Sequence, residues 1–385
     1  MDFAMWAYPW DIMDEGIPNV VERLTEAGID EINLATNYHA VHSFAPTNTE
    51  QRSYFARASS YFQPSPAAYE DLMPVPAEQM SDDDWVDEIL GGLADTPITA
   101  NAWIVGCHNS RLGLRNPELT ITSPHGDTLP FGLCPSQPAV QAYLKGLVRD
   151  LSAREGFNRI ELETFDYFFG SGLSWHHDKV FVDLGKLGTF LLGLCFCDEC
   201  RAAATDKGID VDRVQQTCVE TINAISSGSL PSSIDTLQWV QSHPHVAAYV
   251  TVRERTLENL YADLQEIVDV DLGYTIGILD IGDEWLFGAD LTALGDHVDY
   301  YTALAYQSTG PAAADTIEAA NSLAQATPIH AGIQPGPPIV QEAKTVSSLV
   351  DEVVKTGTDR ISFYNYGPLP ERCFDWIDEA TAPHR

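Results

Sequence analysis

Three cysteines crowd into one short stretch of the sequence, LCFCDECR. They are Cys195, Cys197 and Cys200, and they form a C-x-C-x-x-C pattern. Thiolates are ligands that zinc prefers, and a structural zinc site is tetrahedral, so the pattern needs a fourth ligand. Cys134, in the segment LCPSQP, is favoured over Cys107 for that position. Four thiolates leave no open coordination position, so the predicted zinc is structural and would join two loops.

The cysteine content also indicates a compartment. Buried free cysteines can act simply as small apolar side chains, which is the alternative for any lone one. The chain has seven cysteines, an odd number, and three of them lie in one run, which favours a metal over a disulfide framework. The first residues, MDFAMWAYPW, lack the basic segment and apolar run of a signal peptide. We therefore expect a cytoplasmic location.

Two glutamates alternate with apolar residues in the run RIELETFDY. Side chains of a strand alternate between its faces, so Glu161 and Glu163 share one face, with Glu163 nearer the carboxyl end. A buried charge is costly unless it is paired, so Glu161 is expected to form a salt bridge with a base such as Arg159. Glu163 is the candidate catalytic residue, although Asp166, just past the strand, could serve equally.

A second carboxyl group is predicted from the run ILDIGDEW. Glycoside hydrolysis uses two carboxyl groups that flank the scissile bond, about 5–5.5 Å apart for retention and wider for inversion. Asp280, Asp283 and Glu284 are the candidates to act with Glu163. One member of the pair would have a raised pKa and act as the acid. For Asp283 and Glu284, the alternative is that they are ordinary loop acids.

Aromatic, amide and imidazole side chains recur at the carboxyl ends of the predicted strands. Aromatic rings pack on the apolar faces of sugars, while amides and imidazoles bond sugar hydroxyls. Any one of these aromatics could belong to the core, but their recurrence favours a carbohydrate substrate. The predicted substrate-binding residues are Trp6, Tyr8, Asn37, His39, Trp103, His108, Asn109, Trp175, His176, His177, Tyr306, Gln307, His330, Gln334, Tyr364 and Asn365.

Eight strand-like runs alternate with helical patterns, which predicts an α/β fold, the (β/α)8 TIM barrel. The strands are expected at 3–8, 31–37, 98–106, 159–167, 273–280, 298–306, 329–334 and 360–366. Helices between them are expected at 14–27, 81–94, 138–155, 312–324, 340–356 and 371–380. The loops after strands two, three and four are long, and barrel enzymes build their sites from such loops. We expect one barrel domain over 1–385, with a helical insertion over 168–272.

The composition is strongly acidic. Lys and Arg number 21 against 56 Asp and Glu, giving a net charge of −35. Nucleic acid and anionic membranes are excluded as partners, because phosphate binding needs clustered bases. The acids are spread along segments such as SDDDWVDEIL, which favours a halophilic surface over a site for a cationic substrate. No run of about 18 apolar residues is present, so no membrane span is expected. Self-association into a homo-oligomer is left open.

The cysteine pattern, with a glutamate-bearing strand between Cys134 and the triplet, resembles the zinc site of glycoside hydrolase family 42 β-galactosidases. The resemblance covers residues 130–205 and is shared with a broader set of hydrolase-like barrels. It implies a barrel fold and a structural zinc. In that family, the acid/base is the Glu of an Asn-Glu pair ending strand four, and the nucleophile is a Glu ending strand seven. This chain has ELETFD and PIHAGIQ there, with neither motif.

Together, these features predict a glycoside hydrolase-like enzyme that cleaves a small oligosaccharide or glycoside through two carboxyl groups. Two alternatives stay open. One is a non-hydrolytic sugar-binding barrel, which the missing glutamate of strand seven would fit. The other is a lyase or isomerase that uses His176 or His330 as its base. The sequence has no phosphate-binding glycine loop, no nucleophile elbow and no H-E-x-x-H pattern.

Overall fold

The computed structural model describes residues 1–168 and 179–385. Within these ranges, eight parallel strands close into a barrel, because the first strand pairs with both the second and the eighth. At this closure Met5 lies opposite Phe363 on one side and Ile32 on the other. The predicted (β/α)8 barrel is confirmed. Its strands are β1 Asp2–Ala7, β2 Glu31–Tyr38, β3 Thr99–Val105, β4 Phe157–Glu163, β5 Asp271–Ile276, β6 Tyr300–Leu304, β7 Ile329–Ile333 and β8 Arg360–Phe363.

Helices connect the strands and cover the outside of the barrel. The six predicted helices are present with small shifts of their ends, except that the one expected at 14–27 is two helices. Gly16 adopts a φ of 87°, which ends the first of them. The helices are α1 Pro9–Glu15, α2 Ile17–Glu26, α3 Trp85–Leu93, α4 Ser110–Arg115, α5 Pro138–Ser152, α6 Gly185–Gly193, α7 Asp198–Thr205, α8 Val211–Ser226, α9 Thr236–Gln241, α10 Pro244–Gln265, α11 Leu291–Leu294, α12 Gly310–Ala324, α13 Ala343–Lys355 and α14 Arg372–Thr381.

The fifth strand is shorter than the sequence pattern predicted. It ends at Ile276 rather than at Asp280, because Gly277 adopts a φ of 80°, a conformation that only glycine adopts readily. The chain leaves the barrel at this point, and Ile278 is 42% exposed. The expectation that Asp280 continues the inward face of this strand is therefore wrong.

Long βα loops rise from the carboxyl ends of three neighbouring strands. The loop after β2 contains an antiparallel hairpin of Val41–Phe44 and Ser53–Ala56. The loop after β3 contains a second hairpin, Thr120–Thr122 with Thr128–Leu133. The chain after β4 contains α6 to α10. These loops surround the same end of the barrel.

At the amino end of the barrel interior, a buried glutamate is neutralised by two arginines. Glu31 forms ion pairs with Arg360 at 2.6 Å and with Arg159 at 2.8 Å, and it accepts a hydrogen bond of 2.7 Å from Asn101. Burial raises the pKa of Glu31, but these cations and donors outweigh it and hold the pKa below its usual value. Arg159 thus pairs with Glu31, and the predicted salt bridge between Arg159 and Glu161 is not formed.

None of the helices in the described ranges is both long and apolar enough to cross a membrane.

Candidate active site and cysteine cluster

A cavity of about 270 Å³ opens at the carboxyl end of the barrel. Its lining comes from or just beyond the ends of seven barrel strands, which is where barrel enzymes carry their active sites. A larger groove of about 640 Å³ lies outside the barrel, but no barrel strand contributes to it. We therefore take the barrel cavity as the candidate site. It is lined by Trp6, Tyr8, Tyr38, His39, Val41, Trp103, Glu163, Thr275, Leu304, Tyr306 and Tyr364.

Glu163 ends β4 and is the one carboxylate among the described residues that line the cavity. The indole Nε1 of Trp103 donates a hydrogen bond of 2.7 Å to its Oε2. Burial raises the pKa of Glu163, the Trp103 hydrogen bond lowers it and the neighbouring acids Glu161 and Asp166 raise it, with a net value of about 7. This carboxyl group can therefore hold or release a proton near neutral pH.

Glu161 lies two residues earlier on the same face of β4, one layer deeper in the barrel. It is 1% exposed and accepts hydrogen bonds from Trp6 Nε1 at 3.0 Å and Thr302 Oγ1 at 2.8 Å. Burial raises the pKa of this carboxyl group. The two tryptophans of the cavity wall, Trp6 and Trp103, are thus each held by one glutamate of β4.

Three rings of the lining stand at steep angles to one another. The planes of Trp6 and Trp103 make an angle of 60°, those of Trp6 and Tyr364 make 64°, and those of Trp103 and Tyr364 make 81°. Their centroids are 6.0 to 6.3 Å apart. The Tyr364 hydroxyl lies 3.1 Å from that of Tyr8, which donates to Tyr38 at 3.4 Å. We call the corner formed by Trp6, Trp103 and Tyr364 the ring corner.

Six predicted substrate-binding residues line the cavity, and four lining residues were missed. The missed residues are Tyr38, Val41, Thr275 and Leu304, which lie in or next to strands. Val41, Thr275 and Leu304 are not among the aromatic, amide and imidazole residues from which candidates were selected. Tyr38 could have been found, since it is an aromatic residue at a strand end like the others. The six that line the cavity are Trp6, Tyr8, His39, Trp103, Tyr306 and Tyr364.

Several predicted binding residues instead serve the scaffold around the cavity. Asn37 donates to the Val105 carbonyl at 2.6 Å, and Asn109 caps α4 by accepting from the Leu112 amide at 3.0 Å. The ring of His108 stacks on that of His39 at 4.4 Å, outside the lining. Asn37 and Asn109 therefore fix the backbone of the rim, while His108 packs on His39.

The remaining predicted binding residues lie away from the cavity lining. His330 is buried near the amino end of β7, where it stacks on Tyr300 at 4.2 Å and lies 3.4 Å from Asp359. Gln307 donates to Thr316 and Gln334 to the Pro337 carbonyl, each at 3.4 Å. Asn365 is 2% exposed but is not a lining residue. Trp175, His176 and His177 lie outside the described residues.

The acids after β5 are not brought to the cavity. Lys186 Nζ pairs with Asp280 at 3.4 Å and with Asp283 at 2.6 Å, and the Asp280 side chain is 90% exposed. Glu284 accepts from the backbone amides of Gly282 at 2.7 Å and Gly277 at 3.3 Å, so it fixes its own loop. The physical reason is the early end of β5, which carries this segment out of the barrel.

Asp166 is a third buried acid close to Glu163 in the chain. It is 1% exposed and accepts a hydrogen bond of 2.7 Å from the Tyr274 hydroxyl. Burial raises its pKa to about 7, although that hydrogen bond and the nearby Arg253 lower it. Asp166 does not belong to the described cavity lining.

The four predicted metal ligands form one cluster. The Sγ atoms of Cys134, Cys195, Cys197 and Cys200 all lie within 4.8 Å of one another, and all four residues are buried. The Sγ of Cys195 accepts hydrogen bonds from the amide of Thr122 at 3.3 Å and from that of Cys197 at 3.5 Å. Amide donors of this kind stabilise a thiolate, so the donor set fits a tetrahedral thiolate site. Cys107 lies outside the cluster.

The cysteine cluster connects two loops to the end of β4. The Phe196 amide donates to the Thr122 carbonyl at 2.7 Å, which joins the loop after β4 to the hairpin after β3. Cys200 Sγ contacts Ser136 Oγ at 3.2 Å, and that hydroxyl lies 2.5 Å from the hydroxyl of Tyr167. Tyr167 is only a few residues beyond Glu163, so the cluster braces the rim beside the cavity.

Solved structures of glycoside hydrolases share this fold. The β-galactosidase of the psychrophilic Marinomonas ef1 has a TM-score of 0.60 and 11% identity, covering 99% of this chain and 59% of that one. The β-galactosidase of Bacillus circulans sp. alkalophilus has a TM-score of 0.59 and 14% identity, covering 99% of this chain and 55% of that one. The PgaB (BpsB) glycoside hydrolase domain of Bordetella bronchiseptica has a TM-score of 0.57 and 14% identity, covering 99% of this chain and 97% of that one.

These similarities establish the fold and not the activity. The chain spans 59% and 55% of the two β-galactosidases and 46% of an α-L-fucosidase from Paenibacillus thiaminolyticus. No protein-family model matches the chain, and no curated protein sequence matches it. The expected barrel, a fold shared with solved glycoside hydrolases, and the four-cysteine cluster are confirmed, and nothing in the comparisons singles out family 42.

Proposed function

We propose that this barrel is a glycoside hydrolase that cleaves a glycosidic bond in a small oligosaccharide or glycoside, with Glu163 as its general acid. The observation that carries the proposal is the position of Glu163, a carboxyl group with a pKa of about 7 in an aromatic-lined cavity at the carboxyl end of the barrel. A group of this pKa is partly protonated at neutral pH and can protonate a leaving-group oxygen.

The lining of the cavity supports a sugar as the ligand. Ring faces such as those of Trp6 and Tyr364 can pack on the apolar face of a pyranose. Thr275 is 2% exposed, and its Oγ1 has no hydrogen-bond partner among the described residues. A buried hydroxyl without a partner is costly, so a ligand hydroxyl at this position would stabilise the complex.

For the second carboxyl group of the mechanism, we propose Glu161 in place of the acids after β5. Its two donors, Trp6 and Thr302, stabilise the ionised form. Because Glu161 lies one layer below Glu163, its proposed role is to stabilise the positive charge of an oxocarbenium-like transition state through space.

The test is a comparison of hydrolysis rates on a panel of aryl glycosides. Glu163→Gln is expected to lower kcat about 10²- to 10⁴-fold, the usual contribution of a general acid. The matched control is Asp263→Asn, an exposed acid that pairs with Lys145 on the outer surface and should keep full activity. Absence of turnover on every glycoside, or a Glu163→Gln variant with the kcat of the parent, would refute the catalytic proposal.

The same cavity supports a second candidate, a non-hydrolytic sugar-binding barrel. The observation that favours it is that Glu163 is the single carboxylate of the described lining, whereas hydrolysis in most families uses two beside the bond. Calorimetric binding of a sugar without any turnover would decide for this candidate.

We also propose that Cys134, Cys195, Cys197 and Cys200 hold a structural zinc ion. The support is the burial and mutual proximity of the four thiols, together with the amide donors to Cys195. When bound, zinc would link the two loops and take no part in the reaction. Metal analysis under reducing conditions should give about one zinc per chain, and a metal-free folded protein would contradict the assignment.

A further inference from the structure

The candidate cavity contains a negative charge and no positive one. No lysine or arginine occurs among the described residues that line it. Among the described lining residues, the imidazole of His39 is the one side chain that could carry a positive charge. Burial lowers its pKa, so it is neutral at pH 7. Glu163 supplies a carboxylate in its ionised form. An anionic ligand would therefore enter without a partner for its charge, which is costly in a site of low dielectric constant.

The ring corner provides the geometry that a cation prefers. The face of an aromatic ring carries negative charge from its quadrupole, and a cation within about 6 Å of the centroid is attracted to it. Trp6, Trp103 and Tyr364 meet at 60° to 81° with centroids 6.0 to 6.3 Å apart. Rings so arranged can present more than one face to a single group.

Two of these rings are further polarised by the glutamates of β4. Trp6 Nε1 donates to Glu161 at 3.0 Å, and Trp103 Nε1 donates to Glu163 at 2.7 Å. Hydrogen bonds in a chain polarise one another, and an indole whose N–H donates to a carboxylate has a more negative ring face. Ionised Glu163 thus acts on a bound cation directly, and both carboxylates act on it through the tryptophans.

We propose that the cavity selects a sugar that carries a positive charge, an amino sugar with a free ammonium group held in the ring corner. This inference rests on the proposed function in taking a glycoside as the ligand. The inference specifies in addition the charge of the sugar, which the barrel fold alone leaves open. The acidity of the whole chain, with a net charge of −35, would also raise the local concentration of a cationic ligand at low salt.

The test is calorimetric titration with four sugars of the same ring size but different charge. They are D-glucosamine, D-glucose, N-acetyl-D-glucosamine and D-glucuronate, each at constant ionic strength and at pH 7, where most of the free amine is protonated and Glu163, with a pKa of about 7, is partly ionised. D-glucosamine is expected to bind about tenfold more tightly than D-glucose, and D-glucuronate less tightly than either. Tetramethylammonium serves as a cation without a sugar and is expected to compete with D-glucosamine.

Variants of the ring corner provide the second arm. Tyr364→Leu, which removes a ring face, is expected to abolish the preference for D-glucosamine, whereas Tyr364→Phe, which keeps the ring, should retain it. Because removal of a buried ring can unfold the chain, Glu163→Gln gives a further test with little change of volume. It should lower the affinity for D-glucosamine and leave that for D-glucose within about twofold.

The outcomes separate this inference from the proposed function. Equal binding of D-glucosamine and D-glucose, or tighter binding of N-acetyl-D-glucosamine, overturns the charge preference while the hydrolase proposal stands. Competition by tetramethylammonium and binding of D-glucosamine, with no hydrolysis of any glycoside, supports the ring corner and removes the hydrolase. Binding of neither cation overturns the inference.

Discussion

Replacing Trp103 by phenylalanine should change the acidity of Glu163 while keeping an aromatic ring in the cavity wall. The substitution removes the indole N–H that donates to Glu163 at 2.7 Å. A hydrogen bond to a carboxylate favours its ionised form, and this one lowers the pKa of Glu163 against the effect of burial. Its loss should therefore raise the pKa above its present value of about 7.

The size of the shift follows from the strength of a charged hydrogen bond. Such a bond contributes about 1.5–3 kcal/mol, which corresponds to about 1–2 pKa units at about 1.36 kcal/mol per unit. Water can enter the open cavity and replace part of the lost bond, so we expect about one unit. A general acid works in its protonated form, and its activity falls as pH rises through the pKa. The alkaline limb of kcat/KM should therefore move from near pH 7 to near pH 8.

The assay is the pH dependence of kcat/KM on an aryl glycoside, supported by infrared titration of the carboxyl band. Trp6→Phe is the matched control, because it removes the equivalent donor from Glu161 instead. Loss of that donor should raise the pKa of Glu161 and leave it less charged. Since the charge of Glu161 raises the pKa of Glu163, the limb should stay in place or move down. An unchanged limb in Trp103→Phe, or equal upward shifts in both variants, would refute the reasoning.

Three further predictions concern the cluster, a buried acid and the substrate. Cys134→Ser should lose the metal and melt at lower temperature, whereas Cys107→Ser, outside the cluster, should keep the metal; equal metal content would contradict this. Because burial raises the pKa of Asp166 to about 7, the free energy of unfolding of the wild type should fall as pH rises from about 4 through 7, and Asp166→Asn should escape this loss. An equal change in the free energy of unfolding of the two proteins between pH 5 and pH 8 would contradict this. With an amino-sugar substrate, the ligand cation should lower the pKa of Glu163 in the complex, so the alkaline limb of kcat should lie at lower pH than with a neutral glycoside; equal limbs for the two substrates would contradict this.

The parts of the fold that could be predicted from sequence are those set by local patterns. Strand-like runs alternating with helical patterns marked the eight strands, and the alternation of apolar and acidic residues in IELE placed Glu161 and Glu163 on one inward face. The short C-x-C-x-x-C spacing brought three ligands together without any tertiary information, and Cys134 joined them because its loop follows the neighbouring strand.

The parts that could not be predicted depend on one backbone angle or on contacts across the barrel. Asp280 was assigned to the site because the pattern ran on past Gly277, whose φ of 80° ends the strand. The partner of Glu161 is Trp6, which lies 155 residues away in the chain, and no local pattern distinguishes it from Arg159 two residues earlier. Burial and hydrogen-bond donors, not spacing, decide which carboxylate keeps a proton.

A gradient of charge compensation along the barrel axis gives the strongest argument for where the chemistry lies. At the amino end, Glu31 has two arginines as partners, and its pKa lies below its usual value. Towards the carboxyl end, the hydrogen-bond donors to Glu161 and Glu163 are neutral, and burial raises the pKa of each, although Arg360 lowers that of Glu161 through space. The same barrel thus provides arginine partners for an inward glutamate at one end and none in the described lining at the other. Carboxyl groups with raised pKa destabilise the fold at neutral pH, and such groups concentrate at sites where a proton is used.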